Sequence, residues 1–149
     1  MKTIYDLIHD DGFRKRSAMW LGKKSITVLK TFIDGYEICE DFNEIKSTLV
    51  PPFHLFLPWI QRLYRHNGSY YNWDGIILQN SDNDENKAFD KFLELFDEFR
   101  KLKPTILSAT DISDVDLENL LLTKSYREEL WNNRRLITAS ADKLFIVEY

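Results

Sequence analysis

Asp84-Glu85-Asn86-Lys87-Ala88-Phe89-Asp90-Lys91-Phe92-Leu93-Glu94-Leu95-Phe96-Asp97-Glu98-Phe99-Arg100-Lys101-Leu102 is the stretch on which the fold turns. Phe89, Phe92, Leu93, Phe96 and Phe99 follow one another at steps of 3, 1, 3 and 3, which gathers five apolar side chains on one face of a helix. Asp82 or Asp84 supplies a cap at its start, and Pro104 stops it. A face this apolar has to be covered, so the remaining chain is read for elements that cover it.

Helical spacing recurs on both sides of this segment. Thr3 to His9 carries Ile4, Leu7 and Ile8 on one face, and Asp10-Asp11-Gly12 ends it. Ser25 is a cap for a helix with Ile26, Leu29, Phe32, Ile33 and Tyr36, reaching about Cys39, with Gly35 a weak point inside it. Pro51-Pro52 breaks the chain. Phe53 to Tyr64 then reads as a helix with Phe56, Ile60, Leu63 and Tyr64 as its stripe, in which Pro58 either makes a kink or moves the start to Leu57. Asn67-Gly68-Ser69 is a turn, and Trp73 to Leu78 a short helix.

Beyond Pro104, Ser108 to Asp116 reads as a polar loop. Asp116 caps a helix from Leu117 to about Asn132 with Leu120, Leu121, Tyr126, Leu130 and Trp131. The tail from Leu136 to Tyr149 reads as a hairpin turning at Ser140 to Lys143. The expected fold is therefore mainly α: a single domain over residues 1–149, of about five helices, with a small C-terminal β-hairpin.

Composition narrows the function. With 44% apolar and 14% aromatic residues, the chain cannot belong to the aromatic-poor disordered class. Twenty basic residues against 24 acidic ones give a net charge of −4, the wrong sign for a general nucleic-acid-binding domain. The single thiol, Cys39, makes no internal disulfide. Asp6, His9 and Asp10 interrupt any apolar signal core near the N-terminus, and the stretch Leu49 to Ile60 is too short and too rich in proline to span a bilayer. A cytoplasmic protein with neither a membrane nor a nucleic-acid partner is expected.

Catalytic and metal signatures are missing from the sequence. His9, His54 and His66 stand alone, without an i,i+4 partner or a Cys-x-x-Cys. Asp82-x-Asp84-x-Asn86 begins like a calcium loop, but Lys87 stands where the turn needs Gly, and Leu93 where a bidentate Glu is needed; helix capping explains these acids better. No phosphate-cradling glycine loop and no nucleophile elbow occurs. Cys39 sits among Glu37, Glu40 and Asp41, an unfavourable setting for a nucleophilic thiolate. Neither an enzyme nor a cofactor is expected.

Arg14-Lys15-Arg16-Ser17-Ala18-Met19-Trp20-Leu21-Gly22-Lys23-Lys24-Ser25-Ile26, followed by Leu29, Phe32-Ile33 and Gly35-Tyr36, resembles the opening of a family of small bacterial proteins. The family pattern is Arg-Pro-Gly-Met-Tyr-Leu-Gly, then Ser-Ile, then Phe-Ile-x-Gly-Tyr. Here Ser17-Ala18 replaces Pro-Gly, and Trp20 replaces Tyr. Asn72-Trp73-Asp74-Gly75-Ile76-Ile77 and the helix from Asn86 to Phe99 are similar to two further family elements, so the likeness covers about residues 1–103. A comparable loop occurs in DNA gyrase B subunits, but their Glu-x-x-x-Asn helix and Asp-x-Gly-x-Gly turn are absent here. Members of the family are often immunity proteins beside polymorphic toxins. The resemblance implies a non-enzymatic immunity protein that binds and neutralises a cognate toxin. The alternative is a cytosolic interaction adaptor or regulator without a toxin partner.

Charge suggests where a partner would bind. Residues 82–118 hold 11 acids against 5 bases. Asp90, Glu94, Asp97 and Glu98 lie at i, i+4, i+7 and i+8, so they share one stripe of the phenylalanine-rich helix. These four are the candidate contacts for a toxin with a basic surface, the competing reading being a solvated helix face. The aromatic-dense stretch from Phe53 to Trp73, with Arg62, Arg65, Tyr70 and Tyr71 near its end, suits core packing, with base stacking and interface hot spots as the alternatives.

Overall fold

The computed structural model describes residues 2–66, 71–111, 128–129, 132–140 and 143–149. Among the described residues, these α-helices run in chain order: α1 Ile4–His9, α2 Asp11–Lys15, α3 Ser17–Leu21, α4 Ile26–Phe42, α5 Phe56–Leu63, α6 Trp73–Gln79 and α7 Glu85–Phe99. A 3-10 turn, Phe53–Leu55, leads into α5. Three strands follow: β1 Thr105–Asp111, β2 Arg135–Ser140 and β3 Lys143–Glu148. The fold is mainly α with a small antiparallel sheet, as the helical periodicity implies.

The helix starts follow local chemistry. Asp84 accepts hydrogen bonds from the Asn86 and Lys87 amides at 2.9 and 3.0 Å and opens α7. Ser25 accepts from the Val28 amide and opens α4, and Thr3 and Asp6 form a capping box at α1. Asp10 ends α1 and caps α2 at once, so the charged segment after His9 is two short helices where a plain break was expected. Pro58 is the third residue of α5. Its missing N–H falls in the first turn, where no intrahelical partner waits, so it does not kink the helix; the α-helix starts at Phe56 behind the 3-10 turn, one residue from the Leu57 start expected. α4 continues past Cys39 to Phe42, and α7 stops at Phe99, short of Leu102.

The core is built on α7. Phe89, Phe92, Phe96 and Phe99 are fully buried. Phe92 meets Trp73 of α6 at 5.0 Å and Phe56 of α5 at 5.6 Å between ring centroids. Phe99 meets Phe56 and Trp59, Phe96 meets Tyr5 of α1 edge-on at 5.0 Å, and Phe89 lies near Phe13 of α2. From α4 come Ile26, Leu29 and Ile33. The aromatics of residues 53–73 are therefore chiefly core: Phe53, Phe56, Trp59 and Trp73 are all buried. Two residues read as core face outward instead: Phe32 and Leu63 sit at the edges of their stripes and are exposed.

The sheet corrects one expectation. β3 is its central strand, in the order β1-β3-β2, with both neighbours antiparallel. β2 and β3 form the expected hairpin, with Lys143 paired opposite Ser140 rather than in the turn. Residues 105–111, read in part as polar loop, are strand β1. The reason is that a hairpin leaves the outer edge of β3 with unpaired amides and carbonyls, and β1 satisfies them despite its poor alternation. Val147 is buried, with Phe145 and Tyr149 beside it against the helical core, and the Tyr149 hydroxyl donates to the Leu55 carbonyl at 3.3 Å. Most of the helix expected over 117–132 lies outside the described residues.

Removing the central ring tests this construction. The Phe92→Ala variant is expected to lose about 3–5 kcal/mol of unfolding free energy in urea titration, because the cavity is bounded by rings from two other helices, Phe56 of α5 and Trp73 of α6, and by Phe96 of α7, and cannot collapse.

Candidate acidic interface beside α4

The four carboxylates singled out on α7 do not form one free patch. Asp97 receives a two-pronged hydrogen bond from Arg14 of α2, at 2.7 and 2.6 Å, with His9 at 3.8 Å. Asp90 takes the Lys24 ammonium at 2.7 Å. Glu94 pairs along its own helix with Lys91 at 2.9 Å, and Glu98 is exposed. One turn before Asp90, Glu85 continues this internal use. Its carboxylate accepts from the Ser25 hydroxyl at 2.7 Å and from the Thr27 amide and hydroxyl at 3.1 and 2.7 Å. Burial acts to raise the Glu85 pKa, and those hydrogen bonds outweigh it and leave the pKa lowered. Glu85, Asp90 and Asp97 thus fasten residues 14–27 onto α7, and the outward part of the stripe reduces to Glu94 and Glu98.

A second group of acids is more open. α4 presents Asp34, Glu37 and Asp41 at i, i+3 and i+7, on a face adjoining its buried one, with Glu40 beside them. The chain returns through Leu49 to His54 opposite this face and forms a cleft of two adjoining depressions. The larger, about 490 Å³, is lined by Glu37, Glu40, Asp41, Ile45, Leu49 and Phe53 among others. The smaller, about 180 Å³, shares Glu37, Phe53 and His54 and adds Lys30, Asp34 and Trp73. The floor is apolar, formed by Phe53 and Trp73, and the wall is anionic.

The charges of this wall are unequal. Lys30 donates to both oxygens of Asp34 and neutralises it. Glu40 lies beside the Tyr36 hydroxyl, and Glu37 and Asp41 have no ion pair among the described residues. Burial pushes the Glu37 pKa above its ordinary 4.5, and neighbouring Asp34 adds to the rise. His54 stands at the lip, and partial desolvation of its ring lowers its pKa, so it adds no positive charge at neutral pH. The cleft holds a net excess of negative charge over an apolar floor, which suits a cationic side chain carried on an apolar stem.

Other chemistry finds less purchase. Among the described residues no group of three or more His, Cys, Asp or Glu is placed to hold a metal ion, and no helix is long and apolar enough to cross a membrane. Asp84, part of the calcium-like stretch, caps α7, and Asp82 pairs with Lys87. Comparison with protein-family models, curated proteins and solved structures finds no match for this chain. The 34, 37, 41 spacing was available in the sequence. What raises it above any solvated acidic face is the return of Phe53 and His54 across from it, and no local pattern announces that.

Two pH effects of opposite sign follow. The Arg14 hydrogen bonds hold Asp97 below its ordinary 3.8, so its contribution is complete above that value and is lost as pH falls through the lowered one. The Asp97→Asn variant is expected to lose about 1 kcal/mol at neutral pH, allowing for solvent exposure of the pair, and its deficit in thermal melts should shrink in acid. Glu37 behaves inversely. The folded state binds its proton more tightly, so stability falls as pH rises through the window between 4.5 and the raised value. Glu37→Gln should therefore raise Tm at pH 7 and leave it unchanged below that window.

Proposed function

We propose that this chain is a non-enzymatic immunity protein of the bacterial cytoplasm, which binds a cognate toxin and neutralises it. The observation that carries the proposal is the cleft beside α4, where Glu37 and Asp41 lie without ion-pair partners among the described residues beside the buried ring of Phe53. Toxins that act on nucleic acids are basic around their sites. An acidic inhibitor gains electrostatic steering toward such a surface, and a buried apolar contact then holds it. The likeness of residues 1–103 to immunity-type proteins supports the same reading, as does the net charge of −4. In this proposal a Lys or Arg of the toxin enters the cleft, with Glu94 and Glu98 on α7 as outlying contacts and Asp90 and Asp97 serving the fold.

The proposal is tested by co-expressing the chain with the toxin encoded beside it and measuring survival, then affinity by titration calorimetry. Protection is expected, and Glu37→Lys with Asp41→Lys should weaken binding at least tenfold, about 1.4 kcal/mol, and flatten its salt dependence. Glu94→Lys with Glu98→Lys should have a smaller effect. Failure to protect against any neighbouring toxin removes the immunity function, and capture of an unrelated cytosolic protein in its place would favour the adaptor.

A further inference from the structure

α4 carries a third face that neither the core nor the cleft uses. Val28, Phe32, Gly35, Cys39 and Phe42 follow 4, 3, 4, 3 spacing, the pattern of a coiled-coil seam, with Ile38 alongside. Phe42 is 85% exposed, Ile38 55% and Phe32 38%. Next to the N-terminal end of the seam, Met19 and Trp20 of α3 are 77% and 59% exposed, with Trp20 held near Phe13 at 6.4 Å. Among the described residues nothing covers this surface, which spans about 21 Å from Val28 to Phe42 at the rise of a helix.

Its two ends are unlike and complementary. At one end Trp20, Leu21, Val28, Thr31 and Phe32 line a shallow hollow of about 310 Å³. At the other, Phe42 projects as the last residue of the helix. Hollow and knob are equidistant from Gly35, since Val28 precedes it by seven residues and Phe42 follows it by seven. Gly35 has no neighbouring atom within 4 Å of the position a Cβ would take, so a second helix can cross closely there.

We infer that a second copy of this chain docks antiparallel on α4 about a two-fold axis at Gly35, each Phe42 entering the partner's hollow beside Val28. Such an isologous contact satisfies both hollows and both knobs at once. Charge selects the same direction. Arg16 and Lys23 stand before the N-terminal end of α4, apart from the Lys15–Asp11 and Lys24–Asp90 ion pairs, whereas Glu44 follows its C-terminal end. An antiparallel pair sets the basic end of one copy against the acidic end of the other. A parallel pair would set knob against knob and like charge against like.

Sedimentation velocity over a concentration series tests this, without any toxin. The wild-type chain should pass from monomer to dimer in the micromolar range, with weaker association at high salt. Phe42→Glu should remain monomeric at every concentration while melting as the wild type does, because Phe42 is 85% exposed among the described residues. For register, C39S/V28C is mixed with C39S/F42C and treated with a short bismaleimide. The mixture should cross-link far more than either variant alone. A wild type that stays monomeric throughout, a Phe42→Glu variant that dimerises normally, or preferential cross-linking of C39S/F42C to itself would each overturn the inference.

Discussion

Four phenylalanines on one helix hold this molecule together. Phe89, Phe92, Phe96 and Phe99 are buried, and each touches a ring from another element, so α1, α2, α5 and α6 are all positioned against α7. Burying such side chains contributes about 1.5–3 kcal/mol apiece, comparable in sum with the whole net stability of a domain. The carboxylates of α7 act as the second half of the same device. Glu85, Asp90 and Asp97 reach Ser25 and Thr27, Lys24 and Arg14, and they fasten the one region whose short helices bury little of their own.

That arrangement frees α4 for other work. Only Ile26, Leu29 and Ile33 of its 17 residues are buried hydrophobics. The remaining circumference divides into an acidic wall facing Phe53 and an apolar seam facing solvent. Ordinary stability does not require either. Ionised Glu37 is disfavoured by its partial burial, and an exposed Phe42 gains nothing from the fold. Features that cost stability and are kept are the ones to associate with partners, and two such features on one helix offer two separate docking directions. The cleft and the seam lie on different faces of α4.

Much of the fold is legible in the sequence. The periodicity of α7, the Ser25 and Asp84 caps, the break at Pro51-Pro52 and the tail hairpin are all local signals, carried within a few residues, and each appears where its chemistry placed it. The misreadings share a cause. Residues 105–111 have no strand pattern of their own and pair because β3 has an open edge. Phe32 has helical spacing with core residues yet lies just beyond the arc that neighbours cover. Asp90 and Asp97 read as surface charges, because Lys24 and Arg14, 66 and 83 residues away, are invisible to any window along the chain.

The candidate interface divides along the same line. The residue types and their i, i+3, i+7 order on α4 are properties of the sequence, as are the acidic balance and the apolar seam. Which acids stay unpaired is a property of the tertiary structure. Charges on one helix look alike until distant bases select some of them, and the selection depends on where the chain returns. The sequence by itself determined that one phenylalanine-faced helix would organise a mainly helical core. Only the folded structure decided which carboxylates that core consumes and which it leaves facing a cleft, because ion pairs form through space and the sequence records only distance along the chain.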